Sequence, residues 1–391
     1  DLSNLRGRGS LQGEVSDMEG FSTLVGLNGL FLPDLKGSAT LKFTGREKYE
    51  LTDIKVRAAD EDVTGQLSMS RLGDSAVYSG GLRVSRLSVD GLAEYLGGPT
   101  AMLNSGAQIW PDGPFNIAAN GRKHRGRIDI DTPLIMAGDR PFLTGVSFDL
   151  SWTANENRIR NLLGARGEGE VGLDVTICCY GSEAQKQLNG RFRLDGVALS
   201  DVLVGPASNT LSGFIDGAGR FSTRGGDFAQ MIAGLGGEGS FSVVDFAIEG
   251  VNSEIFAKIG AMDNLTDLSP EAFKAQIDTD LAQGRIDVPE AEGLFTVASG
   301  KMLLRNFSVE DARARLFGDL TLDLSQFGLS GDWMLTPTQA FGDGSVLSEN
   351  AAQIAYRVAG NLFAPIVDVD VGPMADAIQM RAFELEVEEL E

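Results

Sequence analysis

The chain has 391 residues, 42% hydrophobic and 7% aromatic, which is enough apolar material for a large core or a long apolar surface. Its 33 Lys and Arg stand against 55 Asp and Glu, and a net charge of −22 repels a polyphosphate backbone, which argues against nucleic acid as a partner. Fifty Gly with only 12 Pro predict many short strands joined by tight turns and exclude a collagen-like or Pro-rich disordered chain.

In chain order, the first clear pattern is Tyr49, Leu51, Ile54 and Val56: two alternating apolar residues, two mostly polar ones, then two more alternating apolar residues. It recurs as Leu82, Val84, Leu87, Val89, as Phe192, Leu194, Val197, Leu199, as Phe241, Val243, Phe246, Ile248, and as Met302, Leu304, Phe307, Val309. Period two predicts strands with one apolar and one wet face, the habit of antiparallel sheet. Two inserted residues shift the alternation by one, so a β-bulge or a two-residue turn at each site keeps all four apolar side chains on one face. Leu82, Phe192 and Met302 stand 110 residues apart, which fits an internal duplication or a coincidence in so loose a motif.

Between these quartets the signals are of other kinds. Leu92 to Leu96 and Val202 to Leu203 read as short turns of helix, and turn-rich stretches near Pro99 to Pro114 and Pro206 to Gly213 mark weak boundaries. Adjacent Cys178 and Cys179 are the only cysteines; neighbours on a strand point to opposite faces, so a disulfide between them would need an unusual local geometry, and no disulfide framework is expected. Ile255, Ile259 and Met262 have helical spacing; Ser269 and Pro270 start a second helix, which Phe273, Ile277 and Leu281 continue and Gly284 ends. Alternation returns in Leu320, Leu322 and Leu324, in Val367, Val369 and Val371, and in Phe383, Leu385 and Val387, each read as a strand.

The expected fold class is mainly β: an elongated, curved antiparallel sheet forming a U-shaped groove with an apolar interior, plus a few short helices. Bulges bend sheets, which is why repeated bulging predicts a trough. Roughly 20 strands stacked about 4.8 Å apart would span on the order of 100 Å.

From Leu194 onward the chain resembles the C-terminal region of the AsmA family of bacterial envelope proteins. The resemblance is carried by Leu194-Asp195-Gly196-Val197, Leu199 to Leu203, Leu211-Ser212-Gly213 with Asp216-Gly217, and Gly237 to Phe241. It continues through Asp245, Ile248, Gly250 and Val251, Leu294-Phe295, Gly318 to Leu324, Gly331, and Gly360-Asn361-Leu362 with Pro365. The first half follows more loosely, through Leu11-Gln12-Gly13, Gly65-Gln66-Leu67 and the Leu87 to Leu96 segment. Residues 1–190 are read as the N-terminal part of the groove and 191–391 as the AsmA-like region, with a helical insertion at about 253–284. The resemblance implies the periplasmic part of a protein anchored in the inner membrane of a Gram-negative cell, supporting phospholipid transport between inner and outer membranes. The family's N-terminal anchor is absent from this sequence; no segment reaches the roughly 20 apolar residues that cross a bilayer. The chain opens on Asp1, which fits a piece cut from a longer protein.

Candidate lipid-lining residues are the second to fifth quartets, from Leu82, Val84, Leu87 and Val89 to Met302, Leu304, Phe307 and Val309, although a closed sandwich core would explain them too. Arg122, Lys123, Arg125 and Arg127 form a basic run suited to lipid phosphates or to a solvated hairpin end. No catalytic residue, cofactor or metal is expected. The single histidine, His124, sits among cations, and one His with a Cys pair builds no zinc site. Gly234, Gly236 and Gly239 match a dinucleotide spacing but precede a strand instead of opening a helix. Asp129 with Asp131, and Asp368 with Asp370, are read as solvated outer-face acids. The rival functions are a scaffold for outer-membrane protein assembly and carbohydrate binding or cleavage on a long β structure; three Trp and five Tyr supply the latter's aromatic platform poorly.

Overall fold

The computed structural model describes residues 5–15, 34–58, 60–115, 124–179, 185–262, 265–339 and 351–390. Strands make up 60% of the chain and helices 18%, so the molecule is mainly β, with nineteen strands in one open, mostly antiparallel sheet.

The strands are β1 (Arg6–Val15), β2 (Leu35–Thr44), β3 (Lys48–Ala58), β4 (Glu61–Leu72), β5 (Ser75–Val84), β6 (Leu87–Ser88), β7 (Arg125–Ala137), β8 (Arg140–Trp152), β9 (Glu156–Arg166) and β10 (Gly169–Cys178). They continue as β11 (Lys186–Ala198), β12 (Leu211–Gly225), β13 (Gly236–Glu249), β14 (Arg285–Ala298), β15 (Lys301–Glu310), β16 (Ala314–Asp323), β17 (Gly328–Pro337), β18 (Ile354–Asn361) and β19 (Ala364–Asp370). The helices are α1 (Val89–Gly97), α2 (Leu199–Val202), α3 (Ala207–Thr210), α4 (Phe228–Ala233), α5 (Ile255–Gly260), α6 (Pro270–Ala282) and α7 (Gly372–Leu390), with a 3-10 turn at Leu265–Asp267. Two compact units divide the chain: Asp1–Asp195 with Ala218–Gly237, and Gly196–Gly217 with Glu238–Glu391.

In the first unit β1 to β5 form an antiparallel meander, and β7 to β11 form another. The two meanders meet at a parallel pair in which β5 lies beside β7, from Val77 opposite Arg125 to Arg83 opposite Asp131. A parallel neighbour cannot be reached by a hairpin, and the connection here includes β6 and α1. Ser88 caps α1 by accepting the Gly91 N–H at 3.0 Å, and Gly98 ends it at φ +94°. Leu96 of α1 joins a core with Ile130, Phe148, Ile159, Leu162, Val175 and Ile177.

In the second unit β14 to β19 run as one antiparallel meander. The two helices expected at about 253–284 are present as α5 and α6. Ser269 Oγ accepts the Ala272 N–H at 3.3 Å with Pro270 at the first helical position. Phe273, Ile277 and Leu281 share the buried face of α6 and pack in one cluster with Ile255, Phe256 and Ile259 of α5, with Phe246, Phe307, Leu335 and Ile354 of the sheet, and with Met374 and Ile378 of α7.

The expected bulges form at a left-handed residue. The register shifts by one residue between Leu51 and Ile54, where Asp53 has φ +54°, and between Leu304 and Phe307, where Asn306 has φ +52°. Gly196 (φ +59°) and Asp245 (φ +53°) occupy the same place in the third and fourth quartets. The second quartet differs: β5 ends at Val84, β6 keeps the same register against β7, and Val89 is the first residue of α1.

Two further expectations are corrected. Phe383, Leu385 and Val387 lie in a helix, because Val371, Met374, Ala375 and Ile378 set a helical face that is buried and the following residues are mostly strong helix formers. Cys178 and Cys179 are joined by a disulfide. The chain leaves β10 at Cys178, and Cys179 takes φ +78°, so strand alternation no longer governs its side chain.

Candidate functional site

Cross-strand partners place their side chains on the same face of a sheet, so the registers define continuous rows. In the first unit one row runs Gly9, Leu41, Leu51, Leu67, Gly80, Ile128, Leu150, Ile159, Val175, Gly190 across ten strands. At 4.8 Å per strand that is about 43 Å, more than the roughly 30 Å thickness of a bilayer's hydrocarbon core. A neighbouring row runs Phe43, Tyr49, Met69, Tyr78, Gly126, Trp152. Neither row carries a charged side chain. Leu41, Leu51, Leu67 and Ile128 are half-buried, whereas Ile159 and Val175 are fully buried in the core that includes α1.

Rows of the same kind cross the second unit. Phe295, Leu304, Leu320, Gly331, Val358 and Val367 form one, and Val297, Met302, Leu322, Leu329, Gly360 and Pro365 another. Burial falls from one end of the strands to the other. Val309, Leu316, Leu335 and Ile354 are in the helix-covered cluster, and Leu304, Leu320 and Val358 are half-buried; Val367, in the same row as these three but on the last strand, is 55% exposed.

The lipid-lining candidates therefore divide. Leu82, Val84, Leu87, Phe192, Leu194, Phe241, Ile248, Met302 and Leu304 are half-buried side chains of the apolar face. Leu199, Val243, Phe246, Phe307 and Val309 belong to the closed core of the second unit, and Val197 is fully buried. Phe307 holds that core together with ring contacts to Phe241 at 5.8 Å, Phe246 at 6.2 Å and Trp333 at 6.0 Å. Val89, on α1, is exposed. The rows also contain residues outside the quartets, such as Leu320, Leu329 and Val358. Period two flagged the first; the other two needed the registers.

Of the basic run, Arg122 and Lys123 lie outside the described residues. Arg125 is exposed, and Arg127 binds Asp149 at 2.9 Å and Asp129 at 3.6 Å. That triad splits the two acids: the Asp149 contact and burial hold the Asp129 carboxyl above its usual range. Asp149 lies below the usual range, because Asn161, Asp129 and Arg127 outweigh its burial. His124 Nδ1 accepts the Ala76 N–H at 2.9 Å, a structural role. Among the described residues no group of His, Cys, Asp and Glu is placed to hold a metal ion. Gly234 follows α4 and Gly236 opens β13, so the glycine triplet frames no helix start. No family model, curated protein or solved structure matches the chain.

Proposed function

We propose that this chain binds phospholipid acyl chains along the apolar face of its sheet and supports lipid transport between inner and outer membranes, as the periplasmic part of an AsmA-like protein anchored in the inner membrane. The observation that carries this reading is the uncharged row crossing ten strands of the first unit, much of it only half-buried by the protein itself. Such a surface gains about 0.8 kcal/mol for each methylene it covers, with no polar group fixing the chain at one position. A lipid is then held along the row yet free to slide. Native mass spectrometry of the purified chain, followed by lipid extraction, tests this. Co-purified phospholipid that is lost when Leu51 and Leu67 are made acidic supports it; a lipid-free mass under gentle conditions overturns it.

A second reading, assembly of outer-membrane proteins, draws on β19. Ile366 is 67% and Val367 55% exposed there, and among the described pairings β19 pairs with β18 alone. A client strand adding to that edge would be captured by crosslinking from β19 in the absence of lipid.

A further inference from the structure

The parallel pairing of β5 with β7 has a consequence for charge that the sequence hides. It brings the start of β7 to the sheet rim that already holds the start of β1, the β2–β3 turn and the end of β4. On the wet face along this rim one row runs Arg8, Lys42, Glu50, Ser68, Ser79, Arg127, and the next runs Arg6, Thr44, Lys48, Ser70, Val77, Arg125. The turns on this rim add Arg46 with Glu47 between β2 and β3, and Asp74 between β4 and β5 close to Arg71, which leaves the cations in excess. Glu50 is the only acid in either row, and it is engaged by Lys48 at 3.0 Å.

Arg6, Arg8, Lys42, Arg46 and Arg125 make no ion pair among the described residues. Arg8 and Lys42 are direct cross-strand neighbours, an arrangement that costs stability where no anion offsets it; on its other side Lys42 stands opposite Glu50. They border a concavity of about 400 Å³ with Arg6, Lys48, Phe43 and one acid, Glu50. At the opposite strand ends, the β3–β4 connection carries Asp60, Glu61 and Asp62. A chain of net charge −22 thus concentrates unpaired cations on one rim of one sheet.

The other face of the same rim carries the aromatic row: Phe43, Tyr49 and Tyr78, each half-buried, stand at the strand level of the cations, with Trp152 buried beside Tyr78. Tyr on one side and Lys and Arg on the other are residues that partition to the headgroup layer, the cations reading anionic lipid and the amphipathic tyrosine rings sitting at its boundary with the acyl chains. We propose that this rim is a docking surface for an anionic lipid bilayer, with Arg6, Arg8, Lys42 and Arg46 on headgroup phosphates. The inference goes beyond the lipid-binding reading and does not require it, since docking concerns the rim and cargo concerns the apolar rows.

The test is co-sedimentation of the full chain with vesicles of phosphatidylcholine alone and with phosphatidylglycerol added. The chain is expected to bind the anionic vesicles, to be released as ionic strength rises, and to ignore the neutral ones. Each cation near the surface is worth about fivefold in partitioning, so Arg8→Glu with Lys42→Glu weakens binding at least about 25-fold. Lys55→Glu with Arg83→Glu makes the same change in net charge on the same sheet, nearer the opposite rim, and leaves binding within about threefold. Arg8→Gln with Lys42→Gln removes a repulsive pair from the surface and keeps the fold testable by its unfolding midpoint. Equal loss in both Glu pairs, no binding of the unsubstituted chain, or binding abolished by inorganic phosphate at unchanged ionic strength would each overturn the assignment. The last would mark a free-anion site.

Discussion

The backbone N–H of Asn306 donates to Asp319 Oδ1 on the adjacent strand at 2.7 Å. The left-handed conformation of Asn306 turns its N–H out of the ladder, and an unmet amide there would cost stability. The same clip joins Asn161 to Asp174 and Gly196 to Asp216, each at 2.7 Å. Three bulges far apart in sequence are thus held by one device.

The clip makes stability depend on pH. At Asp319 the Asn306 N–H and then Arg305 hold the carboxyl below its usual range; at Asp174 burial pulls upward, but the Asn161 N–H and Arg191 outweigh it. A carboxylate depressed in the folded state adds stability that is complete above its unfolded value of about 3.9 and is lost as pH falls through the folded value. Asp174→Asn with Asp319→Asn is expected to flatten the dependence of the urea midpoint on pH between pH 5 and pH 3. An unchanged slope would show that the clips carry no charge-dependent stability.

Backbone conformation is tested at the same places. Asn306→Val puts a β-branched side chain at φ +52° and is expected to cost about 1–2 kcal/mol, while Asn306→Gly stays within about 0.5 kcal/mol. Guanidinium unfolding of the two variants reads the difference directly.

Lipid binding and folding separate within the second unit. Leu320→Glu, at a half-buried position of the apolar face, is expected to abolish phospholipid co-purification while leaving the circular dichroism unchanged. Phe246→Ala empties part of the closed core and is expected to cost about 3–5 kcal/mol, seen as a lowered unfolding midpoint. Retained lipid in the Leu320 variant would sink the proposed path.

Ile277, fully buried on α6, anchors the helices to the sheet. Ile277→Ala should lower stability by about 2–5 kcal/mol in equilibrium unfolding. A loss under 1 kcal/mol would mean that α6 rests on the sheet without contributing to its core.

Strand placement and the one-sided apolar face were legible because period two survives wherever one face is wet, as in Leu320 to Leu324. The bulges were legible as well, and a finer signal was available. The second inserted residue is Asp53, Gly196, Asp245 or Asn306 where the chain turns left-handed, and Arg86 in the quartet that does not, since Asp, Asn and Gly tolerate positive φ and Arg rarely does. Gly145 and Asn161 are left-handed too, and went unnoticed because Asn157 and Gly164 interrupt the apolar pattern around Asn161. The division of the quartets between open face and closed core was not legible, because it depends on where α5, α6 and α7 land. α7 itself was misread from three alternating residues, since a short alternation near a chain end is outvoted by the buried helical face that precedes it. The basic rim was invisible for a third reason: only the β5–β7 register brings Arg8 and Arg127 to one level.

That register also bears on how the chain folds. Most neighbouring pairs among the described strands of the first unit close through short hairpins, whereas β5 and β7 close only after the chain has run from Val84 to Arg125. Closing some 40 residues instead of two costs about 3 kcal/mol more in loop entropy, on the order of a hundredfold in rate. The two meanders then form first as separate cooperative blocks, and their joining is the slow step, leaving the facing edges of β5 and β7 unpaired in the meantime. Those are the strands through which a newly made chain would aggregate or swap with a second copy, and where a chaperone would have the most to protect.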